Sequence, residues 1–388
     1  MLTQVTELAD RSAASDSICD SRLEVSWETN LELINRLEPE WRYLEERVIN
    51  RTVFASWDYI SLWYRHYSGV YGTPLVGTVR RNGELIGVAA LVTRKGRFGG
   101  IPVLRVDHAG YDGQAGEFLV ADDCPETVEA LIMSLFRTIK PDMACFGNLE
   151  PGSHHLLSLE RAGANLRLLF RSKDHSYAMV DLREGADAHW NKLDGKIRRN
   201  VKRVFTRANA AGETVVGGLR FFERTSGSCE AVMKRAIALT NTSQKMRDAE
   251  REMSDYHQQF YHELVELLGP KAMVDVAILT ISGEDAAFLM ALVERGVYYD
   301  VTVSFAEKFK NVFPGIFLMH ELLRQLPGKG IHTVISHGAY EYKRNWATSF
   351  VPVKTAYLVN RGWRARLAYF GHFVLMPFIR RIMRRNSV

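Results

Sequence analysis

The chain has 388 residues, of which 46% are hydrophobic, 24% charged and 11% aromatic, with 29 Gly and 11 Pro. These fractions exclude collagen-like, low-complexity and wholly disordered classes, and the length predicts two domains or three. The net charge of +5 is unevenly spread: residues 361–388 hold seven arginines and no acid, and residues 192–207 hold seven cations against the single acid Asp194. The remaining chain is therefore acidic. That pattern predicts two local anionic partners and no DNA partner.

In the first twenty residues Glu7, Asp10, Asp16 and Asp20 outnumber Arg11, and there is no apolar core. Residues 1–20 are expected to be disordered, and they resemble neither a signal peptide nor a transit peptide. Four cysteines, Cys19, Cys124, Cys145 and Cys229, lie far apart without CxxC or paired histidine spacing. No disulfide framework and no metal site are expected, and the redox reading is cytosolic.

An internal repeat follows in chain order. Residues 56–64 (SWDYISLWY) and 254–261 (SDYHQQFY) each read as a helix with aromatics at helical spacing. After the first comes PLVGTVRRNGELIGVAALVTR (74–94), two apolar runs about a turn at Asn82-Gly83. After the second comes MVDVAILTISGEDAAFLMALVER (273–295), the same hairpin pattern about Ser282-Gly283. Residues 125–138 and 314–326 then each open with proline and continue as amphipathic helices, and short strands follow at 143–147 and 333–336. Four elements in one order at one offset predict two similar α/β units. Between them, 186–211 reads as a helix interrupted near Gly195 and ended by Gly212.

Hairpin, helix opening at Pro-Gly and following strand form the order of the acyl-CoA-binding half of a GNAT acyltransferase. In tandem, the units resemble the CelD-like (cellulose-biosynthesis-associated) and FemAB-like branch. LDGKIRRNVKRVFTRANAAG (193–212) is similar to its Arg-Arg-rich helix, FPGIFLMHELLR (313–324) to its Ser-Pro-Gly helix start, and HGAYEYKRNW (337–346) to its Gly-x-x-x-Tyr-Lys-x-x-Trp close. Two departures stand out: Phe313 replaces the usual serine, and His337 and Ala339 flank Gly338 where acids are common. The resemblance implies an α/β fold of two tandem GNAT-like units, with mixed sheets flanked by helices and a C-terminal amphipathic helix. The expected divisions are 1–20, a first unit at 21–175, a basic linker helix with the second, donor-binding unit at 176–350, and a tail at 351–388.

Acyl transfer from a thioester needs a held donor, a polarised carbonyl and a deprotonated acceptor delivered in line. A pyrophosphate favours a helix N-terminus, and Phe313-Pro314-Gly315 offers one, with Lys308 and Lys310 just upstream. The equivalent start in the first unit, Asp122-Asp123-Cys124-Pro125-Glu126, carries three carboxylates that would repel phosphate. Acyl-CoA, a co-substrate rather than a permanent cofactor, is thus expected on the second unit, with Lys343 as a further phosphate contact. His337 or Glu341 is the expected base, and Tyr342 the acid for the leaving thiolate. Arg198, Arg199 and Lys202 are expected either to take a substrate phosphate or to form the solvated face of a packed helix. Trp57, Tyr59 and Trp63 either stack sugar rings or form core.

The longest uncharged apolar run in the tail, 367–379, has 13 residues. A spanning helix needs about 20. Trp363, Leu367, Phe370, Val374 and Phe378 recur at helical spacing, with arginines at both ends and Pro377 as a possible kink. This stripe either docks on the protein's own core or on a dimer partner, or lies on an anionic membrane surface. The expected function is acyl transfer to an amine or hydroxyl of an envelope polysaccharide or lipid precursor, by a cytoplasmic protein peripheral to the inner membrane. The alternatives are a ceramide-synthase-like transfer of a long acyl chain to a lipid amine, aminoacyl transfer from aminoacyl-tRNA as in FemAB relatives, and a non-catalytic scaffold in polysaccharide biosynthesis.

Overall fold

A computed structural model describes residues 23–49, 51–110, 118–122, 124–220, 228–243 and 253–385. The expected disordered segment 1–20 lies outside these residues. The first half runs β1 (Leu23–Glu28), α1 (Leu31–Asn35), α2 (Glu38–Arg47), α3 (Trp57–Tyr67), β2 (Thr73–Arg81), β3 (Glu84–Phe98), β4 (Ile101–His108), β5 (Leu119–Val120), α4 (Glu126–Thr138), β6 (Met143–Leu149), α5 (His154–Asn165) and β7 (Leu169–Asp181). A bridging pair follows, α6 (Ala186–Lys192) and α7 (Gly195–Ala211). The second half runs β8 (Thr214–Leu219), α8 (Cys229–Asn241), α9 (Asp255–Leu268), β9 (Val274–Ile281), β10 (Glu284–Glu294), β11 (Val297–Phe305), α10 (Pro314–Gln325), β12 (Thr333–Ser336) and β13 (Ser349–Val359). The tail is α11 (Trp363–Phe370), a π turn over Gly371–Leu375 and α12 (Met376–Arg385).

All repeated elements form where the sequence places them. Both hairpins turn through left-handed pairs, Asn82 (φ 53°) with Gly83 (φ 84°) and Ser282 (φ 52°) with Gly283 (φ 79°). These are the conformations that match the right-handed strand twist. β9 and β10 are buried along most of their length, as their unbroken apolar runs require.

The strands join one 13-stranded sheet in the order β1-β2-β3-β4-β6-β13-β7-β12-β11-β10-β9-β8, with β5 against β3. Within each half one pair is parallel, β4 with β6 and β11 with β12. At the centre the halves exchange their last strands. β7, which closes the first half in sequence, pairs with β12; β13, which closes the second, pairs with β6. β7 and β13 also pair with each other from Ser349↔Met179 to Val359↔Leu169. The division expected at 175/176 therefore falls inside β7, and the tail expected from 351 begins inside β13.

The exchange is reinforced by a shared core. Rings on α3 meet rings on α9: Tyr59 lies 5.9 Å and Tyr67 4.9 Å from Phe260, and Tyr67 5.7 Å from Tyr256. Lys271 also pairs with Asp58 across the halves. On the other face of the second half, α7 and α10 cover the sheet through Val204, Ala208, Phe317, Leu318 and Leu322.

Candidate functional site

β11 and β12 pair from Val297↔Thr333 to Asp300↔Ser336, where β12 ends. β11 continues to Phe305 and leads through a 3-10 turn, Glu307–Val312, into α10. At the start of α10, Phe313 is left-handed (φ 52°), Pro314 is the first helical residue, and no acid lies in the first turn. The Ile316 and Phe317 amides both reach the Phe313 carbonyl, at 3.0 and 3.2 Å. Pro314 has no N–H. The Gly315 N–H remains without a backbone acceptor among the described residues, and a Cβ on Gly315 would meet nothing within 4 Å. A ligand phosphate can approach this helix end closely. Lys308 and Lys310 are engaged with Glu284 and Glu307.

The matching start in the first half is built differently. α4 carries Glu126 and Glu129 in its first turn, Glu126 pairs with Arg81, and the Asp122 carboxylate accepts from the Ile49 amide. It is acidic and already partnered.

Beside α10 runs α7, capped by Asp194 and packed inward through Val201, Val204 and Ala208. Phe205 stacks near Phe317, with ring centroids 4.4 Å apart. Arg199, Lys202, Arg203 and Arg207 are exposed and Arg198 is half-buried. None of the five forms an ion pair among the described residues. At its two ends α7 touches the two turns that matter: Asn200 donates to Asn345 at 3.0 Å, and Arg207 lies over the Phe313 ring.

β12 ends at Ser336 and the chain turns at Gly338 (φ 76°), where a Cβ would strike the Tyr340 ring at 2.7 Å. The following 3-10 turn holds Glu341, Tyr342 and Lys343. Lys343 is only 3% exposed: its ammonium donates to the His337 carbonyl and lies over the faces of Tyr340 and Tyr342, at 5.4 and 6.0 Å. Burial lowers its pKa and the nearby Asp300 carboxylate opposes that fall; burial raises the pKa of Asp300, against a hydrogen bond from Ser336. The phosphate contact expected of Lys343 does not fit this buried, bonded ammonium. Lys343 holds the turn instead.

His337, Ile335 and Tyr299 line a cavity of about 770 Å³ shared between the halves. The first half contributes Asn148, Glu150, Ser153, His154 and His155, and β7 contributes Tyr177. Burial pushes His337 and His155 down to about 4, so both imidazoles are neutral at pH 7. His155 lies 3.2 Å from the Phe118 carbonyl and donates to it when Nε2 carries the proton. Arg51, at the cavity wall, is held between Glu45 (2.9 Å) and Glu294 (3.1 Å). The side chain of Glu341, by contrast, is 84% exposed and faces Arg344. Tyr342 is half-exposed against Trp346, and burial raises its hydroxyl to about 12, which keeps it protonated.

The expected residues thus divide. Phe313, Pro314, Gly315, Arg198, Arg199, Lys202, Glu341, Tyr342 and Lys343 gather around α7, while His337 faces the shared cavity. Trp57, Tyr59 and Trp63 are elsewhere: all three are buried, ringed by Trp41, Phe54, Tyr64, Tyr67, Tyr71 and Phe260. No face is left for a sugar, and the stripe is core. Asn148, His154, Tyr177 and Tyr299 went unread in the sequence. One signal was available: Asn148, left-handed (φ 55°) near the end of β6, and Gly338 (φ 76°), just after β12, hold corresponding places in the two repeated units.

Residues 195–344 match the Acetyltransferase (GNAT) domain family. Among solved structures the chain is similar to FemX, with a TM-score of 0.56 and 11% identity over 87% of this chain and 98% of that one. It is also similar to the C-terminal domain of a candidate lysylphosphatidylglycerol synthetase from Agrobacterium fabrum, with a TM-score of 0.55 and 15% identity over 88% and 96% of the two chains. A comparison with curated protein sequences finds no match. At these identities the solved structures speak for the fold alone. The architecture is therefore α/β, a large mixed sheet flanked by helices in two tandem GNAT-like units, the second of which carries the GNAT domain match.

Proposed function

We propose that the protein is an acyl-CoA-dependent acyltransferase acting on an amine or hydroxyl of a cell-envelope polysaccharide or lipid precursor. The observation that carries this reading is the acid-free start of α10 beside the five α7 cations that have no carboxylate partner among the described residues. Unopposed cations on one helix repel one another, so an anion such as the coenzyme A pyrophosphate relieves them. The thioester then lies by the end of β12 and the unpaired continuation of β11, and the acceptor enters the shared cavity. Its nitrogen or oxygen attacks the thioester carbonyl, the C–S bond breaks, His337 takes the acceptor's proton and Tyr342 supplies one to the departing sulfur. His337 is preferred to Glu341 as base because it lines the cavity, whereas the Glu341 carboxylate faces solvent.

The same reading places the protein on the cytoplasmic side of an anionic membrane. No helix among the described residues is long and apolar enough to cross a bilayer. The predicted stripe Trp363, Leu367, Phe370, Val374 and Phe378 is nonetheless exposed, from 46% at Val374 to 71% at Trp363. α11 docks on the sheet through a different set, Ala365 and Ala368 against Phe98, Val103, Met143 and Val359. Gly371 is pressed so close to Gly99 that a Cβ would fall 2.6 Å from its carbonyl oxygen. One side of the tail is thus anchored, and the stripe offers its apolar side to a lipid interface with arginines to reach headgroups.

Native mass spectrometry of protein purified from its own host tests the donor: a bound coenzyme A species is expected, and its mass gives the acyl length. A protein that binds no coenzyme A would favour the scaffold. The five α7 cations also suit RNA phosphates, so aminoacyl transfer from aminoacyl-tRNA is the second reading; tRNA binding that falls steeply with salt would favour it.

A further inference from the structure

The spacing of the cysteines predicts no metal site, yet the fold brings one of them to two other ligand types. Cys229 is the first residue of α8, behind its Ser228 cap. His262 and Glu266 lie one turn apart on α9, at i and i+4, so both project from the same side of that helix. Donor atoms of Cys229, His262 and Glu266 all lie within 4.8 Å of one another. Around a tetrahedral zinc ion such atoms stand roughly 3.2–3.8 Å apart, so rotamer changes of about 1 Å close the site.

Charge supports the same conclusion. The Glu266 carboxylate stands against a sulfur and pairs only with His262, at 3.6 Å, among the described residues. No Lys or Arg among the described residues pairs with it. A thiol, an imidazole and a carboxylate brought together are matched by a divalent metal, which supplies the positive charge that holds them.

We propose that Cys229, His262 and Glu266 bind one zinc-class divalent cation. Thiolate and imidazole favour a borderline-soft metal over magnesium or calcium. Three protein ligands leave a fourth position for water. The thiol proton passes to solvent as the sulfur binds. Cys229 and His262 are half-buried and Glu266 is exposed, so the ion reaches the site from solvent. Bound there, it ties the start of α8 to the second half of α9, on the layer that packs against α3. The site stands apart from the α10 start and the shared cavity, and the proposal does not depend on the acyltransferase reading.

The test is titration of the full chain with Co(II) and Zn(II). Wild-type protein should take up one metal per chain, show a thiolate-to-cobalt charge-transfer band in the near ultraviolet, and melt at a higher temperature with zinc. Cys229→Ser should abolish the band. Glu266→Gln, an exposed change that spares the fold, should weaken zinc binding at least tenfold and remove the zinc-dependent rise in melting temperature. Absence of a charge-transfer band in the wild type overturns the proposal. So does zinc binding of undiminished affinity in both variants.

Discussion

The guanidinium of Arg207 lies over the ring of Phe313, 5.9 Å from its centroid. This contact joins the basic helix α7 to the residue that starts α10, so the cations and the helix end are held as one surface. A cation above an exposed ring contributes about 0.5–1 kcal/mol. A double-mutant cycle on Arg207→Ala and Phe313→Ala should therefore return a coupling energy of that size in chemical denaturation. Additive losses would show that the two elements are merely neighbours.

Lys343 and Asp300 are both buried and act on each other electrostatically without forming an ion pair within 4 Å. Removing the Lys343 ammonium leaves the buried His337 carbonyl without its donor and takes the nearby cation from Asp300, a cost of about 1–3 kcal/mol. Lys343→Met should lose stability on that scale in urea unfolding, and Lys343→Met with Asp300→Asn should recover part of it. A single variant as stable as wild type would contradict the role of Lys343 in holding the 341–345 turn.

The imidazole of His337 ionises near pH 4 in the fold because burial penalises its charged form, against about 6.5 in an unfolded chain. Between those values the unfolded state binds more protons. Stability from this group is thus complete above pH 6.5 and falls as pH drops toward 4. The shift corresponds to about 3 kcal/mol. His337→Gln lacks the loss, so its stability deficit relative to wild type should shrink by up to that amount from pH 7 to pH 4. NMR titration should find the wild-type His337 ring still neutral at pH 5. A midpoint near 6.5 would refute the burial argument.

The exposed stripe of the tail predicts a graded membrane response. Intact protein should float with liposomes in proportion to their anionic lipid, and less at high salt, since each basic residue near the surface contributes about 1 kcal/mol. Deleting 361–388 is a poor test, because it uncovers the face beneath Ala365, Ala368 and Gly371. Phe370→Glu with Phe378→Glu changes only exposed positions and should abolish flotation while leaving the melting temperature unchanged. Flotation that survives the double change would exclude the stripe as the contact.

Much of the fold can be read from the chain because local rules state it twice. Asn82-Gly83 and Ser282-Gly283 demand the same turn, and Pro125 and Pro314 begin equivalent helices. The strand exchange cannot be read this way: β7 and β13 are ordinary alternating strands, and their partners are set by assembly of the whole sheet. The residues proposed for the donor side, Phe313-Pro314-Gly315 and the α7 cations, stand out in the sequence as a motif and as a run of like charge. The cavity does not, because Asn148, His154, Tyr177 and Tyr299 come from four separate elements. Trp57, Tyr59 and Trp63 show the opposite limit. An aromatic stripe has the same spacing whether it meets a sugar or, as here, Phe260 from the other half. In the tail the small residues Ala365 and Ala368 dock on the sheet, which the spacing of the large residues does not reveal, and the large stripe stays exposed.

The donor assignment is tested most directly by calorimetric titration of coenzyme A into Gly315→Asp beside Gly96→Asp. Both positions are open, with nothing within 4 Å of an added Cβ and an ordinary φ, so neither change strains the backbone. Only Gly315 lies at the start of α10. An aspartate there should repel the pyrophosphate and weaken binding at least tenfold, about 1.4 kcal/mol, while Gly96→Asp in the first half binds as wild type does. Equal affinity in the two variants would contradict donor binding at this helix start.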